Sequence, residues 1–207
     1  MELLLSSPDL ILASSSRYRR ELLERLRLPF GVCSPQVDEA ALEGEAPAQM
    51  SERLALAKAR AVALDRPQAW VIGSDQVAKL DGEAIGKPGT HERAVAQLRR
   101  MSGRCVRFHT AVAVVRGLEG AFGLRRVVVE VEFRVLREEE IETYLRLERP
   151  YDCAGSAKCE GLGIGLLRSI RSDDPTALIG LPLIATRELL EAAGFDLLAR
   201  LALREAV

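Results

Sequence analysis

Residues 14–20 read Ser14-Ser15-Ser16-Arg17-Tyr18-Arg19-Arg20, a run of serines passing into a cluster of arginines. The apolar run Leu10-Ile11-Leu12-Ala13 precedes it, and a helical pattern with Leu22, Leu23 and Leu26 on one face follows it. A turn from strand into helix points free backbone N–H groups and the positive end of the helix dipole at one place. Guanidinium groups grip phosphate oxygens in pairs and stay charged. A polyphosphate cradle is one reading of the segment. A Ser-rich N-cap followed by a solvated basic face is the other, and composition does not separate the two. The glycine spacing of a Walker loop is absent.

A second constellation is Gly73-Ser74-Asp75-Gln76, with Gly86-Lys87-Pro88 following a hairpin signal at Asp81-Gly82. A carboxylate at the end of a buried strand can hold a divalent cation or take a proton from water, and Lys87 can neutralise phosphate charge. Asp38-Glu39 supplies two more carboxylates. Each of these alone is equally well a solvated loop residue; their occurrence beside a basic cradle carries the information. A third segment, from Tyr151 to Gly165, spaces its glycines as a backbone that must approach something closely, or as a tight loop before a strand.

Composition narrows the class. With 29 basic and 30 acidic residues the net charge is −1, which argues against a protein coating DNA or RNA, since duplex binding runs on phosphate neutralisation. The start of the chain, Met1-Glu2-Leu3-Leu4-Leu5 with Pro8-Asp9 close behind, lacks the basic region and apolar length of a secretory signal. No apolar run has the length to span a bilayer, so a cytoplasmic protein without a membrane partner is expected. Cys33, Cys105, Cys153 and Cys159 form no CxxC pair, and His91 and His109 form no HExxH motif. Both histidines read as structural or exposed, and no GxSxG elbow is present.

The elements that must position these residues are short strands and amphipathic helices. Strands are expected at Leu10–Ala13, Phe30–Ser34, Trp70–Ser74, Val106–Val115, Val127–Leu136 and Leu166–Ile170. A Gly-rich turn from Gly117 to Gly123 joins the two long ones. Helices are expected near Ser51–Leu64, after the Thr90 cap and ending before Gly103, at Glu138–Glu148, and at Leu183–Ala193 and Leu197–Arg204. Early alternation of strand and helix with adjacent strands in the middle implies a mixed sheet, and a length of 207 residues suits one domain over the whole chain, residues 1–207.

Taken in order, Leu10 to Ser14 and on to Arg20, Asp38-Glu39, Ala57-Lys58-Ala59, Gly73-Ser74-Asp75, Gly86-Lys87-Pro88, Ser102-Gly103 and Gly180-Leu181-Pro182 resemble the Maf family of nucleotide pyrophosphatases. Gln76, the run from Asp152 to Ser156, Glu160 to Ile164 and Asp174 to Ile184 are similar to its branch acting on 7-methyl-GTP. The branch acting on dTTP and UTP resembles Ser-Asp-Thr and carries Gln at the place of Glu160. The resemblance implies an α/β, Maf- or ITPase-like fold, a mixed twisted sheet flanked by helices with two lobes around a cleft, and a homodimer. It implies a hydrolase releasing pyrophosphate from a nucleotide, assisted by Mg²⁺ or Mn²⁺. Asp75 is then the proton acceptor, with Lys58 and Lys87 beside it, Ser14, Arg19 and Arg20 on phosphate, and Glu39 with Asp75 on the metal. Tyr18, Gln76 and Glu160 match the positions that set base specificity. Two departures stand out: Arg17 replaces the family's Pro, and Tyr18 replaces the Trp common in this branch. Chemically, an aromatic face attracts the cationic methylated ring, and a carboxylate can accept from guanine N1–H and N2–H₂, which pyrimidines do not offer. The same family is also associated with inhibition of septum formation, so a nucleotide-binding regulator and a pyrimidine nucleotide pyrophosphatase are the competing expectations.

Overall fold

The structure is a computed structural model that describes residues 9–117 and 122–205, with Phe122, Arg204 and Glu205 described by their backbone alone. The expected turn after Gly117 falls on 118–121, outside the described residues, as do residues 1–8. Among the described residues seven strands form one mixed sheet: β1 (Leu10–Ala13), β2 (Gly31–Cys33), β3 (Trp70–Leu80), β4 (Glu83–Ile85), β5 (Cys105–Arg116), β6 (Phe122–Phe133) and β7 (Leu167–Arg171). Their order is β2-β1-β3-β5-β6-β7, with β4 paired to β3. β1 runs parallel to β2 and β3, while every pairing from β3 onward through β5, β6 and β7 is antiparallel. The mixed sheet expected from the sequence is what is observed.

Among the described residues six α-helices flank it: α1 (Arg17–Glu24), α2 (Pro47–Ala63), α3 (His91–Met101), α4 (Glu138–Glu148), α5 (Leu183–Ala192) and α6 (Leu197–Glu205). Thr90 caps α3 by accepting from the Arg93 amide, and Gly103 follows in the left-handed region at φ 69°. α2 starts at Pro47, ahead of the Ser51 expected from composition. Proline suits the first helical position, where its missing N–H has no partner to lose, and the Ser51 hydroxyl instead donates to the Ala48 carbonyl within the helix.

The largest difference from expectation lies in β3. It does not end at Ser74 but continues to Leu80, because Val77, Ala78 and Leu80 are buried and hold the strand in the sheet. β5 covers one of its edges from Trp70 to Lys79. The opposite edge is shared: β1 pairs with Trp70–Gly73 and β4 with Ala78–Leu80. Residues 74–77 lie in the interval between those two partners, so the sheet opens there. Hydrophobic clusters lie on either side of this opening. One gathers α3, α4 and the β4 end around Leu98, Phe108, Phe133 and Tyr144, and two others sandwich the β1 end, with Leu22, Trp70 and Leu190 on one face and the alanines of α2 on the other.

Gly73 sets how closely α2 approaches. A Cβ at this position would stand 2.2 Å from the Ala55 carbonyl oxygen and 2.6 Å from the Ala59 amide nitrogen. Both are backbone atoms, so the helix would have to move. Gly73→Ala is expected to destabilise the chain by about 1–3 kcal/mol, a fall in Tm of about 3–10 °C by calorimetry; an unchanged Tm would contradict this close approach.

Candidate active site

Side chains alternate across a strand, so neighbours on β3 point to opposite faces of the sheet. Gly73 and Asp75 face α2, where Lys58 reaches across and its Nζ lies 2.7 Å from Asp75 Oδ1. The same Nζ lies 2.7 Å from Glu39 Oε1. Lys58 is only 5% exposed and Asp75 7%, so this is a buried cation shared by two carboxylates, with Glu39 at its solvent side. Burial pushes the Glu39 carboxyl up, but the Lys58 hydrogen bond and charge, with Lys87 and Arg19, outweigh it and hold Glu39 below its ordinary value.

Ser74 and Gln76 face the other way, onto the loop around residues 177–180. The Ser74 hydroxyl donates to the Ala111 and Gly180 carbonyls at 2.8 and 2.9 Å. Gln76 Nε2 lies 3.0 Å from the Thr110 hydroxyl and from the Ala177 and Leu178 carbonyls. Its donor end is therefore committed to the protein, and the amide oxygen is the end left to meet a ligand. A side-chain amide can in general donate or accept; here the contacts of Nε2 leave Gln76 the acceptor end.

At the turn after β1 the capping reading is met at Ser16, while Ser14 and Arg19 turn into the fold. Ser16 is the helix cap, accepting from the Arg19 amide. Ser14 is buried, and its oxygen accepts from the Ser16 amide at 3.1 Å and lies 3.5 Å from Arg19 Nη1. Arg19 Nε donates to the Gly180 carbonyl at 2.8 Å, which leaves further N–H groups of its fork for an anion. Burial pushes the Arg19 guanidinium down from its ordinary value, and Asp75 and Glu39 oppose this. Arg20 is not brought to the site. One residue further round the helix it faces solvent and pairs with Glu24 at 3.1 Å, four residues on.

These groups line a single cleft of about 620 Å³ that contains Ser14, Tyr18, Arg19, Glu39, Lys58, Asp75, Gln76, Lys87 and Glu160, a volume in the range of small-molecule sites. Two features that build its wall do not show in the sequence: one lines it and one braces the loop behind it. Gly180, at φ 125°, turns its carbonyl to both Ser74 and Arg19, a conformation that favours glycine. The buried Asp174 carboxylate accepts from the amides of Thr176, Ile184 and Ala185 and from the Thr176 hydroxyl, which ties this loop to the start of α5. Both belong to segments singled out by resemblance, but a glycine's carbonyl and a carboxylate's backbone partners leave no trace in residue spacing.

Glu160 reaches the cleft from a tight turn. The Lys158 amide donates to the buried Tyr144 hydroxyl, the Leu162 amide to Glu148, and a Cβ on Gly163 would strike the Lys158 backbone at 2.4 Å. Neither histidine lines the cleft. His91 sits between the Tyr151 hydroxyl and Glu142, and burial with the neighbouring Arg126, Lys79 and Arg107 pushes His109 down. Among the described residues no set of three or more His, Cys, Asp or Glu side chains forms a metal cluster; Glu39 and Asp75 are brought together through Lys58.

The family model described as Maf-like protein matches residues 9–193 of the chain. The chain is 62% identical over 194 residues to a 7-methyl-GTP pyrophosphatase of Polaromonas sp., covering 94% of this chain and 89% of that one. It is 61% identical to the protein of the same name from Albidiferax ferrireducens, over 91% of this chain and 95% of that one. A third with that name, from Burkholderia thailandensis, is 60% identical over 93% of this chain and 91% of its own. The solved Staphylococcus aureus Ham1 protein is similar over 60% of this chain and 71% of its own, at 17% identity and a TM-score of 0.44, too remote a likeness to bear on activity.

Removing Lys58 leaves two carboxylates without their shared cation. In the wild type Glu39 sits below its ordinary value of 4.5, so its contribution is present above that pH and is lost as pH falls through the lowered value. In Lys58→Met the hydrogen bond and charge that hold Glu39 low are removed, and that contribution goes with them. The Tm difference between wild type and Lys58→Met is therefore expected to widen from about pH 4 to pH 7 in thermal melts; a gap independent of pH would refute the shared-cation account.

Proposed function

The chain belongs to the Maf-like protein family, and on that premise we propose that it is a pyrophosphatase that hydrolyses 7-methyl-GTP to the nucleoside monophosphate and pyrophosphate. The observation that carries the reading is the placement of Asp75 and Gln76 on opposite faces of one strand inside one cleft. A water-activating carboxylate and a base-reading amide thereby meet the two ends of the same ligand. Relatives about 60% identical over nine-tenths of the chain carry this activity in their names.

In this mechanism Lys58 fixes Oδ1 of Asp75, and the other carboxylate oxygen takes the proton of the attacking water. Water adds to the α-phosphorus, and the bond to the bridging oxygen breaks as pyrophosphate leaves. Arg19, anchored by Gly180 and Ser14, and Lys87 at the mouth stabilise the charge spreading over the phosphate oxygens. The start of α1 adds its dipole. Glu39 and Asp75 are hard oxygen donors that already accept one cation between them, the Lys58 ammonium. Mg²⁺ is commonly held by one or two carboxylates together with substrate phosphates, so the pair fits Mg²⁺ or Mn²⁺. When bound there, the ion would neutralise phosphate charge. Arg20 has no direct part in this reading, as its charge is turned away.

At the other end, Glu160 accepts from guanine N1–H and N2–H₂, and Gln76 presents its amide oxygen. Both are acceptors, which matches guanine's Watson–Crick donors and offsets the positive charge of the methylated ring. Tyr18 supplies an aromatic face. A homodimer, which rests on the family resemblance, and a cytoplasmic setting complete the proposal; no helix among the described residues is long and apolar enough to cross a membrane.

Turnover should be measured on 7-methyl-GTP, GTP, dTTP and UTP with Mg²⁺ or Mn²⁺, with pyrophosphate release as the readout. A preference for dTTP or UTP, or binding without release, would overturn the proposal, and chelation is expected to abolish activity. Asp75→Asn is expected to lower kcat by about 10²–10⁴-fold with an unchanged circular dichroism spectrum. Glu160→Gln is expected to lower kcat/KM for 7-methyl-GTP about 10- to 100-fold, and an equal loss on pyrimidine nucleotides would remove its base-reading role.

A further inference from the structure

We propose that Arg17 is a specificity-determining residue that blunts the cleft's discrimination between methylated and unmethylated guanine, because its guanidinium holds the aromatic ring that a cationic base would use. The inference rests on the 7-methyl-GTP reading. Arg17 Nη2 donates to the Tyr18 hydroxyl at 2.7 Å, and its Cζ stands 4.7 Å from the centre of the ring. Both residues line the cleft. The Tyr18 hydroxyl in turn donates to the Asp152 carboxylate at 3.2 Å, so the phenol is clasped between a cation and an anion of its own chain. A second cation, Lys158 Nζ, lies 5.8 Å from the same ring centre.

The two cations differ in freedom. Lys158 is 8% exposed, and its Nζ donates to the Glu148 carbonyl at 3.3 Å. Arg17 is exposed, and Glu21 stands four residues further along α1 as an alternative partner. A positively charged base approaching Tyr18 must either displace the Arg17 guanidinium or lie beside a like charge. A neutral guanine meets no such repulsion, since arginine itself stacks on bases. Arg17 therefore penalises the cationic base selectively.

The position is a favourable one to substitute. Arg17 is the first residue of α1, behind the Ser16 cap, where proline and most side chains fit the backbone. With the full-length protein, kcat/KM should be measured in parallel on 7-methyl-GTP and GTP for wild type, Arg17→Gln, Arg17→Pro and Arg17→Lys. The ratio of the two values is expected to rise about two- to fivefold in Arg17→Gln and Arg17→Pro, the size of an exposed cation–π contact. It is expected to stay near wild type in Arg17→Lys, which keeps the charge. A ratio unchanged or lowered in both neutral variants overturns the proposal. An equal loss on both nucleotides does the same, by assigning Arg17 to the phosphates. Circular dichroism melts confirm folding, and either neutral variant alone suffices. Wild-type protein that hydrolyses dTTP or UTP but neither guanine nucleotide overturns the underlying reading, and that arm involves no Arg17 variant.

Discussion

Lys58 carries a charge into a place where only 5% of its surface meets water, and its ammonium is met there by Asp75 and Glu39 at 2.7 Å each. An ion buried without partners would cost several kcal/mol, so the pairing constrains everything around it. The two carboxylates must face one another, α2 must lie against β3, and Gly73 must lack a side chain for the helix to come that close. The geometry of the cleft on this face follows from one helix–strand contact made tight by glycine and by the alanines at 55 and 59.

The opposite face is held by hydrogen bonds to backbone carbonyls. Gly180, Ala177 and Leu178 accept from Ser74, Arg19 and Gln76, and Asp174 fastens the loop that carries them. Arg19 is anchored through both Gly180 and Ser14. The phosphate chemistry and base reading proposed for Asp75 and Gln76 therefore fall about 3.3 Å of strand apart, on opposite faces of β3. The interval in the strand's outer edge, between the pairings with β1 and β4, falls at residues 74–77, the stretch that carries Asp75 and Gln76.

The rim is less tightly determined. Tyr18 is surrounded by Arg17, Lys158 and Asp152, so its aromatic face is already in use before any nucleotide arrives. A proline at residue 17, as the family pattern has it, would take the Arg17 guanidinium away from that face. This is where the chain's own residues change the balance between stacking and charge.

Much of the architecture was legible in residue order. The buried strands, the Asp81-Gly82 turn, the Thr90 and Gly103 ends of α3 and the bounds of α4 follow from local rules of periodicity, capping and φ preference, which act within a few residues. The types of the site residues were legible for the same reason: arginine, lysine and carboxylate chemistry is a property of the side chain. Sequence could not decide which of them point inward. Arg19 and Arg20 are identical in kind and adjacent in order, yet one is anchored in the cleft and the other pairs with Glu24 in solvent, because helix rotation separates them by about 100°. Likewise Asp75 lies inside a strand that runs on to Leu80, held there by β4 and β5. Only the tertiary structure sets Lys58 between its two acids or commits the nitrogen of Gln76 to carbonyls a hundred residues away, since burial and long-range pairing depend on what the folded chain brings opposite each group.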